Sequence, residues 1–343
     1  AERRRDTQTR QRQGEENMLR NKLAFVLVLL AGLLLVGCQA AAPAEEPAKV
    51  YTYPDMVVGF IQTGSEGGWR AANTASFKET AEQLGINLKF YDAQNHMENQ
   101  LSAFRNFIAD EEVNVIVLAA LETTGWEEVL QEAKDAGKLV VLEDRRIDAP
   151  EDMYVTYIGS DFAEEGRKSA LEMCKLLEGS ESKNVVELVG NVGSSAAKDR
   201  GQGFREKMGE CGIEIVKSQT ANWDATEGKA VMEAWLNETT DIQGVFAQND
   251  EMGLGAAQAI TEAGLNPGDD IVILTVDATA GAFRAMIAGD INVVVECNPL
   301  LAPQVYEAAL KALNGESLPK WVPSQEGVFY AADAETILPT RKY

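Results

Sequence analysis

From residue 56 to residue 314 the chain alternates short apolar runs, rich in β-branched residues, with longer amphipathic stretches, and this rhythm constrains the fold more than any other feature. A short run with Val and Ile at successive positions suits a strand buried on both faces. When such strands are separated by helix-length segments, the crossover returns the chain to the same end of the sheet, so the strands run parallel. Strands are expected at residues 57–61, 88–91, 113–118, 139–142, 155–158, 185–189, 213–216, 244–247, 271–276 and 291–295. Helices are expected between them, for example at 71–84, 126–136 and 226–236, with Gly85, Gly137 and Gly264 as stop signals. So many strands exceed the usual size of one sheet, and the expected class is α/β with two doubly wound, parallel-sheet (Rossmann-like) lobes.

Ahead of this pattern lies a leader. Arg20 and Lys22 form a basic start, residues 23–35 are an apolar run too short for a permanent span, and Leu35-Val36-Gly37-Cys38 sets small residues beside a cysteine. The motif resembles the lipobox of bacterial lipoproteins, which implies cleavage before Cys38 and lipid on the new N-terminus. The Ala/Pro/Glu-rich stretch after it reads as a flexible tether. The expected order is an upstream extension at 1–17, a lipoprotein signal peptide at 18–37 and a lipidated tether at 38–54. Residues beyond it suffice for two lobes.

The formal charge is −23, and residues 1–37 hold seven basic and four acidic groups, which leaves the remainder at about −26. Nucleic acid is a poor partner for such a surface, because phosphate binding needs clustered Lys and Arg. Cys174, Cys211 and Cys297 match no zinc spacing, and His96 is the single histidine, so a metal site or a Ser/His/Asp site is not expected. In an exported protein Cys174 and Cys211 are the candidates for a disulfide; buried free thiols are the alternative. Gly253-Leu254-Gly255 lacks a third glycine, and Gly190-Asn191-Val192-Gly193 is not followed by Gly-Lys-Ser/Thr. No phosphate cradle is present, no cofactor is expected, and the chain itself does not hydrolyse ATP.

In a doubly wound lobe, ligands bind beyond the carboxyl ends of the strands. The strand ends here bear Gly67-Gly68-Trp69-Arg70, Glu122-Thr123-Thr124-Gly125-Trp126 and Glu143-Asp144-Arg145-Arg146 in the first half. The second half adds Ser194-Ser195, Asp199-Arg200, Asn222-Trp223-Asp224, Gln248-Asn249-Asp250 and Asp277. Arg, Asp and Asn each pair with two neighbouring hydroxyls, and an indole covers the C–H face of a sugar ring, so together these residues describe a polyol pocket. Any one of them alone reads more plainly as a surface ion pair or a core aromatic.

Three segments, Val245-Phe246-Ala247-Gln248-Asn249-Asp250-Glu251-Met252, Ser194-Ser195-Ala196-Ala197-Lys198-Asp199-Arg200-Gly201 and Leu142-Glu143-Asp144-Arg145, resemble the ribose/galactose type of periplasmic sugar-binding proteins of ABC transporters. The likeness spans roughly residues 56–330. Gly68-Trp69-Arg70, Thr124-Gly125-Trp126 and Val295-Glu296, with Pro299 beyond two further residues, are most similar to the galactofuranose-binding branch. The resemblance implies that Trp69 and Trp223 stack on the two faces of a sugar. It implies that Asp144 and Arg145 bind hydroxyls from the first lobe, and Arg200, Asn249 and Asp277 from the second; Arg70 is a ligand-binding candidate beside them. Glu122, Trp126 and Glu296 are further candidates. Arg70, Ala119 and Cys297 stand where the ribose pattern has an aromatic, an Asn and a Gln, which argues against ribose.

The resemblance also implies a type I periplasmic binding protein fold with a three-strand hinge near Ser160-Asp161, Cys297-Asn298 and Gln325. The lobes would be 55–160 with 298–325, and 161–297 with 326–343, the helix at 301–313 returning to the first. The expected function is a monomeric, exported, lipid-anchored binding protein that is not an enzyme. It would deliver a monosaccharide to an ABC permease and its ATPase subunits, from the periplasm or extracellular face of the cell membrane. A sensor subunit feeding a receptor kinase or chemoreceptor is the alternative. A glycosidase using Asp144 and Asp277 is disfavoured by the arginine beside one of them. A transcription regulator is disfavoured because the leader and tether occupy the place of a DNA-binding helix-turn-helix.

Overall fold

In the computed structural model each apolar run becomes a strand with helices covering both faces of its sheet. The structure describes residues 49–343 except Glu66, together with Met18. The expected upstream extension, the leader after Met18 and the lipidation site Cys38 lie outside the described residues. Residues Val50–Tyr343 form one packed unit.

The first sheet holds β1 (Val57–Gln62), β2 (Asn87–Asp92), β3 (Val115–Leu118), β4 (Leu139–Glu143), β5 (Tyr157–Gly159) and β11 (Trp321–Pro323). Its order is β11-β5-β4-β3-β1-β2 and every pairing is parallel. The second holds β6 (Asn184–Val189), β7 (Glu214–Thr220), β8 (Gly244–Ala247), β9 (Val272–Asp277), β10 (Val293–Glu296) and β12 (Val328–Tyr330), in the order β12-β10-β9-β8-β6-β7. Only β12 there runs antiparallel to its neighbour. Both sheets reverse direction of travel beside their first strand, between β1 and β3 and between β6 and β8, which opens a crevice at those carboxyl ends.

All ten expected strands are present. β7 runs beyond its expected end because it is an edge strand, whose Lys217, Ser218 and Gln219 lack the buried-strand signature. β11 and β12 were not expected; each is a short edge strand, and β11 ends on Pro323, a residue that edges tolerate. Alternation along the strands separates two core faces in the first sheet. Val58, Phe60, Val115 and Val117 pack with Phe77 and Tyr306, whereas Ile61, Ile116 and Leu118 pack with Phe104 and Trp126.

The chain passes between the sheets three times, after β5, after β10 and between β11 and β12. The helix Ala302–Leu313 lies against the helix Gly68–Leu84 and β4, with the Tyr306 hydroxyl donating to the Phe77 carbonyl at 3.0 Å. Of the two readings of the cysteines, the structure shows the disulfide: Cys174, near the end of helix Phe162–Leu176, is bonded to Cys211 in the turn after helix Ser195–Met208. Cys297 is free and buried.

Candidate functional site

Parallel strands deliver their carboxyl-end residues to one side of each sheet, and the two sets face one another. Trp69 and Arg70 open the helix that follows β1; Asp144 and Arg145 follow β4. Across the crevice, Arg200 lies on helix Ser195–Met208, Trp223 in the turn after β7, Asn249 at the start of helix Asp250–Glu262, and Asp277 at the end of β9. These eight residues, with Ala196 and Cys297, line one cavity. All eight are buried. A larger groove, near β5 and β11, contains none of them.

Three of the residues are held in left-handed or otherwise unusual backbone: Asp144 (φ 57°), Trp223 (φ 67°) and Asp277 (φ 132°). Such conformations cost about 1–3 kcal/mol each in a non-glycine residue and persist where the surroundings over-determine them. Here they turn each side chain inward at the strand end. Gly190 supplies the room, since a Cβ there would lie 2.1 Å from the Trp223 ring.

On the first lobe the Arg70 Nη2 donates to Asp144 Oδ2 at 2.5 Å, and Arg145 Nε lies 3.6 Å from the same oxygen. Behind them sits Glu143, which accepts from Asn73 Nδ2 at 3.1 Å. Burial pushes the Glu143 carboxyl up to about 8, with the negative charge of Asp144 adding to the rise and Arg70 opposing it. On the second lobe Arg200 donates from Nε to Glu165 Oε2 at 2.6 Å and from Nη1 to the Gln248 carbonyl at 2.7 Å, which leaves Nη2 3.9 Å from Asp277 Oδ1. Burial holds Asp277 well above the usual carboxylate range, and the nearby Asp250 adds to it. Asn249 accepts from the Met252 amide and donates to the Trp223 carbonyl, so it caps its helix and fixes the tryptophan turn together.

Guanidinium groups stack on both indoles. Arg70 lies 4.5 Å from the Trp69 ring centroid, and Arg145 and Arg200 lie 5.7 and 5.6 Å from that of Trp223. Trp69 Nε1 donates to the Cys297 carbonyl at 2.7 Å. Trp223 Nε1 is buried and has no hydrogen-bond partner in the protein, a rare state for an indole donor unless something in the cavity accepts from it.

The crevice is shut. Arg146 makes a two-pronged ion pair with Asp199, Nη2 to Oδ1 at 2.7 Å and Nε to Oδ2 at 3.0 Å, while its amide donates to Ser195 Oγ at 3.1 Å. Lys198 Nζ donates to Thr123 Oγ1 at 2.7 Å, the Thr123 amide to the Gly193 carbonyl at 3.1 Å, and the Gly68 amide to Glu251 Oε1 at 3.0 Å. Each contact joins one lobe to the other.

The three further candidates lie elsewhere. Trp126, just before helix Glu127–Asp135, packs in the core against Phe104 and donates to the Glu122 carbonyl at 2.8 Å. The Glu122 side chain lies against Gly193 at the crevice edge, outside the cavity lining. Glu296 faces the C-terminal segment, accepting from the Gly327 amide at 3.0 Å and from Arg341 and the Tyr343 hydroxyl at 2.9 Å; the strand pleat sends it to the side opposite the cavity. In the layer behind the cavity, sequence reading placed Glu143 and Gln248 among the strand-end residues but missed Glu165, which lies early in helix Phe162–Leu176. A glutamate in the first turn of a helix is too common to stand out.

The site holds hydrogen-bonding groups and aromatic faces in one cavity, with the Asp144 carboxylate tied to Arg70. This arrangement offers planar donors and acceptors, with two indole faces, to a compact polar molecule. Among the described residues, Glu165, Cys297 and Glu326 have ligand atoms within 4.8 Å of one another; Arg200 pairs with one oxygen of Glu165, and hinge donors converge on one oxygen of Glu326.

Residues 58–317 match the periplasmic binding protein domain family. The galactofuranose-binding protein YtfQ of Escherichia coli (strain K12) is 40% identical over 306 residues, which cover 88% of this chain and 94% of that protein. A protein of Mycobacterium smegmatis in complex with β-D-fucofuranose has a TM-score of 0.82 and 45% identity, covering 84% of this chain and 95% of that one. The binding component of the arabinose ABC transporter from Shewanella sp. ANA-3, bound to α- and β-L-arabinofuranose, has a TM-score of 0.81 and 41% identity, covering 84% and 96%.

Proposed function

This chain belongs to the periplasmic binding protein domain family, and from that premise we propose that it binds one monosaccharide, galactofuranose-like or another pentose or hexose, and hands it to an ABC permease. The observation that carries this reading is the shut cavity, lined from both lobes by planar polar groups and bounded by Trp69 and Trp223. The indoles cover the C–H faces of the ring. Arg70, Asp144 and Arg145 bind hydroxyls from one side, and Arg200, Asn249 and Asp277 from the other. Only the closed form satisfies both sets, so ligand shifts the lobes toward closure about the three crossovers. The permease then recognises the closed form, and its ATPase subunits drive transport.

The mature protein is exported, monomeric and lipid-anchored through Cys38, and works by binding alone. No helix among the described residues is long and apolar enough to cross a membrane, and a lipid on Cys38 would supply the attachment. A thermal-shift and calorimetric panel of L-arabinose, D-galactose, D-fucose and methyl glycosides locked in furanose or pyranose form tests the ligand class. Stabilisation by at least one furanose is expected. Stabilisation only by a non-carbohydrate would overturn the sugar reading. Membrane fractionation of Cys38→Ser, expected to release the protein from the membrane, tests the anchor.

A further inference from the structure

Glu326 ties together the three segments that cross between the lobes. Its Oε1 accepts from the Asn298 amide at 3.0 Å, from Ser324 Oγ at 2.7 Å and, in a very short bond, from Ser160 Oγ. Ser160 follows β5, Asn298 follows β10 and Ser324 follows β11, so one carboxylate oxygen collects a donor from every crossover. Glu326 is therefore held as an acceptor by three converging donors.

Beside it lies Glu165, on the second lobe's helix Phe162–Leu176 and 1% exposed. Its Oε2 accepts from Arg200 Nε at 2.6 Å, while its Oε1 is buried without a hydrogen-bond partner. The Glu165 and Glu326 ligand atoms lie within 4.8 Å of each other and of the Cys297 thiol. A buried carboxylate with one unpartnered oxygen, this close to a second carboxylate, is a costly arrangement unless a proton is shared between them.

We propose that Glu165 and Glu326 share one proton when the lobes are closed, and that this proton links Arg200 in the cavity to all three crossovers and makes closure pH-sensitive. The groups that face the pair are Arg200, Asp277, Cys297 and Tyr157, and Lys168 donates to the Glu326 carbonyl at 3.2 Å. Burial pushes Glu165 up to about 8; Arg200 opposes the rise, and Glu326 reinforces it. Opening the hinge parts the crossovers and wets the pair, which returns Glu165 toward the ordinary range of about 4.3. The closed form thus has the higher value, so its advantage is complete below the open-form value and is lost as pH rises through about 8. In that window the ratio of closed to open forms falls by up to about tenfold per pH unit. Glu165 and Glu326 are positioning residues acting through Arg200 and the hinge, whatever the cavity binds.

The experiment uses the unliganded chain, so it stands or falls independently of the sugar reading. Small-angle scattering from pH 5 to pH 9 is paired with infrared spectra of protonated carboxyls, in the wild type, Glu165→Gln and Glu326→Gln. The wild type is expected to expand as pH rises and to lose a protonated-carboxyl band over the same range. Glu165→Gln, whose amide imitates the protonated acid, is expected to stay compact throughout and to show a smaller band, the remainder belonging to Glu143 and Asp277, with Glu326→Gln also losing the pH response. A wild type whose dimensions ignore pH overturns the proposal, as does a Glu165→Gln variant that still expands. Glu165→Ala, which removes the link, should bring Arg200 loose at every pH; unchanged compactness there would count equally against it.

Discussion

Glu251, on the second lobe, caps a helix of the first: its Oε1 accepts the amide hydrogen of Gly68 at 3.0 Å, at the start of helix Gly68–Leu84, whose own Ncap Gly67 offers no side chain. The same helix carries Trp69 and Arg70 into the cavity. A carboxylate at a helix N-terminus gains from both the free amide and the macrodipole, so closing the lobes completes the cap.

Replacing Glu251 by Ala is expected to leave thermal stability almost unchanged and to speed ligand release. A cap of this kind is worth about 1 kcal/mol, which corresponds to about a fivefold rise in the dissociation rate. Stopped-flow tryptophan fluorescence measures it, and the difference should shrink as salt is added. Equal release rates in the two proteins would show that the contact contributes nothing to closure.

Trp223→Phe keeps an aromatic face and removes the Nε1 donor that the protein leaves unpartnered. Unliganded stability is expected to hold or rise, since an unsatisfied buried donor is destabilising. Sugar affinity is expected to fall about tenfold, the loss of one hydrogen bond of about 1–1.5 kcal/mol. Melting curves and calorimetry separate the two effects; a variant that binds as tightly as the wild type would show that no ligand oxygen meets the indole nitrogen.

Gly166 sits where helices Phe162–Leu176 and Ser195–Met208 touch, and a Cβ there would lie 2.1 Å from the Arg200 carbonyl oxygen. The obstacle is backbone, with no side chain to swing aside. Gly166→Ala should therefore force the helices apart and destabilise the protein by about 1–3 kcal/mol, as overpacking does. Binding should suffer as well, because Arg200 would shift from Glu165 and Gln248. Chemical denaturation and a ligand titration report the two losses.

Cys174 and Cys211 close a loop of sequence separation 37 within the second lobe. Chain-entropy arguments give such a bridge about 4 kcal/mol. Double replacement by Ser is expected to lower the denaturation midpoint by a corresponding amount, and hydrogen exchange should place the added opening in helices Phe162–Leu176 and Ser195–Met208.

The sequence by itself determined the order of strands and helices, because buried parallel strands must be apolar on both faces and helices must not, and this difference is local. It also located Trp69, Arg70, Asp144, Arg145, Arg200, Trp223, Asn249 and Asp277 as residues that would meet, since parallel strands all end on the same side of a sheet. Tertiary structure decided what periodicity does not encode. Trp126 and Glu296 also stand near strand ends, but the packing of Phe104 and the pull of Arg341 direct them elsewhere. β11 and β12 exist only because neighbouring edges were free to pair with three-residue segments. The charged layer behind the cavity, Glu165 under Arg200 and Glu326 across the crossovers, joins residues far apart in the chain. Nothing local marks such residues. Their meaning comes from burial, which makes an unshared charge costly and leaves each group defined by whichever partner the fold brings to it.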